Sequence, residues 1–136
     1  MAAMASERVA AELVELARRG VVADFFEQEG VVIYRNVPVG GGEPDVDIAV
    51  KVPSGYAAAR IDLAALPESR WDLLDRLKGG TNDQGRFLAD GQNWRLGSYH
   101  PHVNGGGPPW DPTRHGFHSY YDELISWTHD VAGSKP

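Results

Sequence analysis

The sequence contains no cysteine among its 136 residues. This absence excludes disulfide bonds, zinc sites built from thiolates and a cysteine nucleophile. No cluster of lysine and arginine offsets the acidic residues, and the formal net charge is −6. A chain of this charge does not attract phosphates, so we expect no nucleic-acid partner.

A long apolar run is also missing. Residues 1–5 are small and apolar but lack the basic start of a signal peptide and the length of a membrane span. We therefore expect no membrane partner and a cytoplasmic protein. With 42% hydrophobic and 24% charged residues, the chain can bury a core, and its length predicts a single domain over residues 1–136.

Apolar residues at helical spacing predict one helix near each end of the chain. Ser6 is the expected N-cap of the first helix and Gly20 its expected stop, while Gly133 ends the pattern of the last helix. The apolar positions are Val9, Leu13, Leu16 and Ala17 in the first helix, and Tyr120, Leu124, Trp127 and Val131, with Phe117 and Tyr121 alongside, in the last.

Between these helices, segments rich in β-branched and aromatic residues predict an antiparallel β-meander of about four strands. The third strand alternates in period two, with one face in the core and the other in solvent. Residues 69–78 suit either a helix or an irregular segment, and 86–88 a further short strand. The order of elements predicts an α+β fold. The expected strands are 21–26, 31–39, 46–52 and 59–63.

Residues 94–112 are too rich in glycine, proline and aromatic residues to form one helix or one strand. Prolines stiffen such a segment and aromatic rings attach it to a core. We therefore predict an ordered loop that holds His100 and His102 in fixed places, and this loop is the first candidate for a functional site.

Three short motifs follow one another along the chain: Val52-Pro53-Ser54-Gly55-Tyr56, Tyr99-His100-Pro101-His102 and Trp110-Asp111-Pro112. In this order they resemble the ubiquitin-conjugating fold. A second set of positions is Pro53, Gly55, Tyr56, Asp62, Trp94, Ser98, His100 and Trp110. This set resembles a prokaryotic branch of the same superfamily, encoded near bacterial ubiquitin-like, activating and deubiquitinase-like proteins.

The sequence departs from this family at the positions of the family's catalytic residues. The family places a cysteine between the His-Pro-Asn motif and the Trp-x-Pro motif, whereas the corresponding interval here, 103–109, contains none. Thioester-type conjugation is therefore excluded. His102 also stands where the family has an asparagine, which removes that residue's contribution to oxyanion stabilisation.

The resemblance then implies a cysteine-free, UBC-like binding or accessory protein of a bacterial ubiquitin-like modification system. Its expected partners are a ubiquitin-like protein or the activating and processing enzymes of that protein. Any remaining catalysis would fall to His100 and Asp62, although Asp62 fits equally well as a buried acceptor. The expected binding residues are Tyr56, Trp94, Ser98, Tyr99, His102 and Trp110.

Two alternatives stay open. Four histidines in and after the loop could bind zinc and make the protein a metal-dependent enzyme, but spacings of this kind also arise by chance, with His100 bonded to loop backbone. The large rings could form a recognition surface, but packing beneath the loop is the favoured arrangement. The histidines are His100, His102, His115 and His118, and the rings are Trp94, Tyr99, Trp110, Tyr120 and Trp127.

Overall fold

Helix α1 spans Ala2–Arg18 and packs its apolar side on the sheet through Val9 and Leu16, both fully buried. The helix ends at a glycine cap, as predicted. Gly20 adopts a φ of +80°, and its amide and the next one each donate a hydrogen bond to a carbonyl of the last helical turn at 3.0 Å. This pair of hydrogen bonds is the Schellman motif, in which the residue after the helix adopts a left-handed backbone conformation that glycine favours.

The predicted N-cap at Ser6 was wrong. Because α1 already begins at Ala2, Ser6 lies inside the helix, and its hydroxyl donates to Glu27 Oε2 at 2.5 Å instead of capping backbone amides. The start of the helix was predicted from its apolar positions, and these cover only the part of the helix that is buried.

In this computed structural model, the described residues are 2–39, 44–56, 58–61, 63–70, 83–97 and 110–133. After α1 come six strands, a short 3-10 turn and a second long helix. The strands are β1 Ala23–Phe26, β2 Val31–Val37, β3 Val46–Lys51, β4 Ala64–Pro67, β5 Asp83–Ala89 and β6 Gln92–Gly97, the turn is Glu68–Arg70, and helix α2 is Phe117–Gly133.

All six strands belong to one antiparallel sheet in the order β1-β2-β3-β4-β6-β5. The prediction of an α+β fold with an antiparallel sheet is confirmed, as are the first hairpin and the third strand. The predicted number of about four strands was too low, because β5 and β6 extend the sheet beyond β4.

The fourth strand lies further along the chain than the predicted range 59–63. Leu63 adopts a φ of +67°, a left-handed conformation that interrupts an extended strand, and pairing starts only at the next residue. Of the ambiguous range 69–78, residues 71–78 lie outside the described residues.

Residues 94–97, predicted as the start of the irregular loop, are instead part of strand β6. Asp90 and Gly91 have φ values of 54° and 69°, which is the two-residue type I′ turn of a tight hairpin. This turn extends the expected strand 86–88 to Asp83–Ala89 and sets Trp94 opposite Phe87. The prediction of a loop was therefore wrong for 94–97, and 98–109 lie outside the described residues.

Each face of the sheet carries a buried apolar cluster. The larger apolar cluster lies between the sheet and the two helices, and a smaller one lies on the opposite face, where the sheet curls. The prediction that one face of β3 meets solvent was consequently wrong at Ala49, which is fully buried in the second cluster.

Helix α2 confirms the predicted C-terminal helix, and it buries Phe117, Tyr120 and Leu124. Two tyrosine hydroxyls connect it to the sheet side: Tyr34 donates to the Phe117 carbonyl at 2.6 Å, and Tyr120 donates to a carbonyl just before β4 at 2.9 Å. Within the described part of the chain, no helix is long and apolar enough to cross a membrane.

Candidate functional site

One buried carboxylate, that of Glu12, lies where α1 meets the segment leading into α2. Glu12 is 5% exposed, and of the charged side chains that the structure describes it is the one that is buried. Its Oε1 accepts hydrogen bonds from the Tyr56 hydroxyl at 2.6 Å and from the Phe117 amide at 2.9 Å. Its Oε2 accepts one from Nε of Arg8. A buried charge is tolerated only with partners of this kind.

Helix geometry explains why α1 can supply both charges. Arg8 and Glu12 are four residues apart, so their side chains lie on the same face of the helix. The carboxylate of Glu12 also meets the first amide of α2, where the helix dipole favours negative charge. The acid on α1 thus completes the N-terminus of α2.

A glycine makes this approach possible. A Cβ atom added to Gly116 would lie 2.4 Å from Oε2 and 2.5 Å from Cδ of Glu12, far closer than side chains pack. Gly116 is buried, and the residue after it donates its amide to the same carboxylate. The residue at this position therefore has to be glycine for Glu12 to reach the start of α2.

The guanidinium of Arg8 extends the contact to the backbone of the neighbouring segment. Besides Glu12, it donates through Nη2 to the carbonyls of Pro112 and His115, the latter at 3.0 Å. It also lies over the Tyr56 ring, 5.8 Å from the ring centre. A single arginine therefore joins α1 to two points of one turn.

That turn, residues 111–115, is closed by its own side chains. Oδ1 of Asp111 accepts hydrogen bonds from the Thr113 hydroxyl at 2.7 Å and the Thr113 amide at 3.0 Å, and these bonds hold the pKa of the Asp111 carboxyl below its usual range. The Asp111 amide donates to Nδ1 of His115 at 2.9 Å. An accepting Nδ1 has no proton, so His115 is the neutral tautomer protonated on Nε2.

Aromatic rings fill the space beneath the turn. The Tyr56 ring lies 5.2 Å from that of Phe117 and 6.3 Å from that of Trp110, and Trp110 lies 5.5 Å from the His115 ring. Burial, followed by the hydrogen bond to Glu12, raises the pKa of Tyr56, so its hydroxyl stays protonated and donates. Two of the motifs singled out in the sequence, around Tyr56 and around Trp110, meet here.

An open cleft of about 360 Å³ lies between α1 and the turn. Charged groups line its α1 side, and the turn and the start of α2 line the other. Nδ1 of His118 is buried there and has no hydrogen-bond partner among the described residues. The residues lining the cleft are Arg8, Ala11, Glu12, Glu15, Pro112, Thr113 and His118.

The expected catalytic and binding residues separate into three groups. Tyr56 and Trp110 are brought together, with Tyr56 only 7% exposed and Trp110 half-buried. Trp94 is fully buried in the second apolar cluster, where its indole N–H donates to the Ala89 carbonyl at 2.9 Å. The remaining candidates, Asp62, Ser98, Tyr99, His100 and His102, lie outside the described residues.

Packing of large rings into the core is confirmed for Trp94 and Tyr120, both fully buried. Of the four histidines proposed as metal ligands, only His115 and His118 belong to the described residues. Across that part of the chain, no three His, Cys, Asp or Glu side chains are grouped as metal ligands, and Nδ1 of His115 is already occupied by a backbone amide.

Sequence reasoning missed the residues at the centre of this site, Arg8, Glu12 and Gly116. A signal for one of them was present. Glu12 is three residues after Val9 and four before Leu16, which places an acid in the apolar stripe of α1. An acid at such a position indicates a buried partner, although it does not identify that partner.

Comparison of this chain with family models, with curated proteins and with solved structures finds no match. The fold and the site together define the class as an α+β protein without cysteine, in which a curled antiparallel sheet is covered by two helices joined through a buried carboxylate.

Proposed function

We propose that this protein is a catalytically atypical ubiquitin-conjugating-like protein without the nucleophilic cysteine. It acts as a binding or accessory component of a bacterial ubiquitin-like modification system. Its partner is a ubiquitin-like protein or an enzyme that activates or processes one. The supporting observation is the meeting of Tyr56 and Trp110, two motif residues distant in sequence, at a ring separation of 6.3 Å.

The chemistry of the site suits binding better than group transfer. The chain has no thiol, the Tyr56 hydroxyl is buried and bonded to Glu12, and Glu12 is itself fully engaged. The groups that reach solvent are the half-buried Trp110 ring, the turn and the cleft beside α1. A half-buried aromatic ring beside a charged cleft is a typical anchor point of a protein interface. Under the same proposal, Ser98, Tyr99, His100 and His102, which lie outside the described residues, remain expected binding residues.

The binding test uses the ubiquitin-like protein encoded by the source organism, titrated calorimetrically into the purified full chain. Glu15 lines the cleft and its side chain is 52% exposed, so Glu15→Arg changes the surface without disturbing the core. Glu29→Arg makes the same charge change at an exposed position in the β1–β2 turn and serves as the matched control.

We expect Glu15→Arg to weaken binding at least about tenfold and Glu29→Arg to leave it within about twofold. If the unmodified chain binds and both variants lose the same amount of affinity, the binding surface does not lie at the cleft. No binding to the ubiquitin-like protein or to its activating enzyme would reject the proposal.

A second candidate, a zinc-dependent enzyme, is supported by one observation, the buried and unpaired Nδ1 of His118. Stoichiometric zinc in tag-free protein, with a melting temperature that falls on chelation, would support it because a metal that binds only the folded chain stabilises that chain. Unchanged stability and zinc-free protein would reject it.

A further inference from the structure

We infer that Arg8 is a positioning residue: its guanidinium sets the place of the turn 111–115, and thereby of Trp110, relative to α1. The consequence for partner binding rests on the proposed function, whereas the positioning itself does not. No motif in the sequence indicated this role, since Arg8 lies far from the candidate loop.

The first step is the geometry of the guanidinium. Nε donates to Glu12, and Nη2 donates to the carbonyls of Pro112 and His115. The two carbonyls are near the start and at the end of the turn, so two bonds fix both its position and its tilt. A guanidinium can do this because its donors are rigid and coplanar, while a lysine ammonium is a single point on a flexible stem.

The second step is the orientation of the guanidinium itself. The Glu12 carboxylate cannot rotate freely, because Tyr56 and the Phe117 amide both donate to its Oε1. With the carboxylate held in this orientation, its Oε2 can accept the hydrogen bond from Nε of Arg8 in only one direction. The core therefore orients Glu12, Glu12 orients Arg8, and Arg8 positions the turn.

The third step connects the turn to the proposed surface. His115 accepts from the Asp111 amide and packs against the Trp110 ring at 5.5 Å. A shift of the two carbonyls held by Arg8 would move His115, and with it the face of Trp110. Arg8 would then influence binding through the turn, by way of hydrogen bonds made within the protein.

The test compares Arg8→Met and Arg8→Lys with Arg19→Met. Arg19 is a matched control because it directly follows α1 and also bonds to α2, through Asp122 at 2.6 Å and the His118 carbonyl, rather than to the turn. The readouts are hydrogen exchange of the His115 amide, which donates to the Asp111 carbonyl at 2.7 Å, and the ¹⁵N shift of His115 Nδ1.

We expect exchange at His115 to accelerate at least about tenfold in both Arg8 variants, with loss of the Nδ1 hydrogen-bond shift, and to stay within about twofold in Arg19→Met. Arg8→Lys retains the charge beside Glu12, so its melting temperature should be closer to that of the unmodified chain than that of Arg8→Met. Positioning thus predicts that turn exchange and melting temperature separate in Arg8→Lys.

Exchange at His115 that simply follows melting temperature across the three variants would overturn the inference and leave Arg8 a stabilising residue only. If Arg8→Met does not fold, the double variant Arg8→Met with Glu12→Gln removes both charges together and is read in the same way. Affinity for the ubiquitin-like protein is measured in parallel. An altered turn in a chain that never binds this protein would reject the proposed function and retain the positioning role.

Discussion

The substitution Gly116→Ala tests the central cluster with one added methyl group. The new Cβ would be 2.4 Å from Oε2, 2.5 Å from Cδ and 2.7 Å from Oε1 of Glu12. Contacts this short force one partner to move. Glu12 is the end of a side chain and could rotate, but it is buried and accepts three hydrogen bonds, from Arg8, Tyr56 and Phe117.

The expected cost follows from what that movement breaks. A hydrogen bond to a charged group contributes about 1.5–3 kcal/mol, so the loss or distortion of one or two such bonds predicts a destabilisation of about 2–4 kcal/mol. For a chain of 136 residues, each kcal/mol lowers the melting temperature by about 3–5 °C. Urea unfolding followed by circular dichroism measures the change in the free energy of unfolding directly.

A double-mutant cycle isolates the clash from other effects of the methyl group. In a Glu12→Ala background the carboxylate is gone, so the added cost of Gly116→Ala should fall below about 0.5 kcal/mol. Glu12→Gln keeps the bulk of the side chain, so in that background the cost should persist. A cost of Gly116→Ala that is the same with and without the Glu12 side chain would refute the reasoning.

Three further predictions concern the β5–β6 turn, the second apolar cluster and the turn 111–115. Arg35→Met removes a guanidinium that bonds three carboxylates, including that of Asp90 in the β5–β6 turn at 3.0 Å. Because these partners are partly exposed, we expect the free energy of unfolding to fall by about 1–2 kcal/mol and hydrogen exchange at that turn to become faster. Trp94→Phe leaves a void in the second cluster and removes the indole hydrogen bond to the Ala89 carbonyl, and should cost about 2–3 kcal/mol in urea unfolding. The pKa of Asp111 is lowered in the folded state, chiefly by the Thr113 hydroxyl, so its stabilisation is present above the ordinary pKa of 3.8 and lost as pH falls through the lower folded pKa; an NMR titration should give a midpoint below 3.8 that rises in Thr113→Val.

Each of these predictions has a result that contradicts it. Unchanged exchange at residues 90–91 in Arg35→Met would show that the ion pairs do not hold the hairpin. A Trp94→Phe variant as stable as the unmodified chain would place that ring outside the core. An Asp111 titration midpoint that Thr113→Val does not move would assign the low pKa to another cause.

The elements with strong local signals could be predicted from the sequence. The first hairpin, strand β3, the end of α1 at Gly20 and helix α2 all follow from periodicity and turn residues. The errors occur where long-range pairing decides. The strand at 94–97 was missed because the glycine- and proline-rich composition of the residues that follow it dominates that stretch of sequence, and β4 begins late because Leu63 turns the chain.

The centre of the site could not be read from the sequence for a related reason. Glu12, Tyr56 and Gly116 belong to three separate segments, and neither spacing nor propensity records that α1 crosses the start of α2 at that point. The motif around Tyr56 marked an aromatic anchor, and the motif around Trp110 marked a loop. Only the fold shows that a carboxylate from α1 lies between Tyr56 and the start of α2.

Hydrogen-exchange footprinting of the full chain, with and without saturating ubiquitin-like protein from the source organism, tests the binding proposal most directly. We predict new protection in two places, Trp110 with the turn 111–115 and the cleft side of α1 around Glu15, with none in the β1–β2 turn at 27–30. Protection confined to 27–30, or none anywhere at saturation, would contradict it.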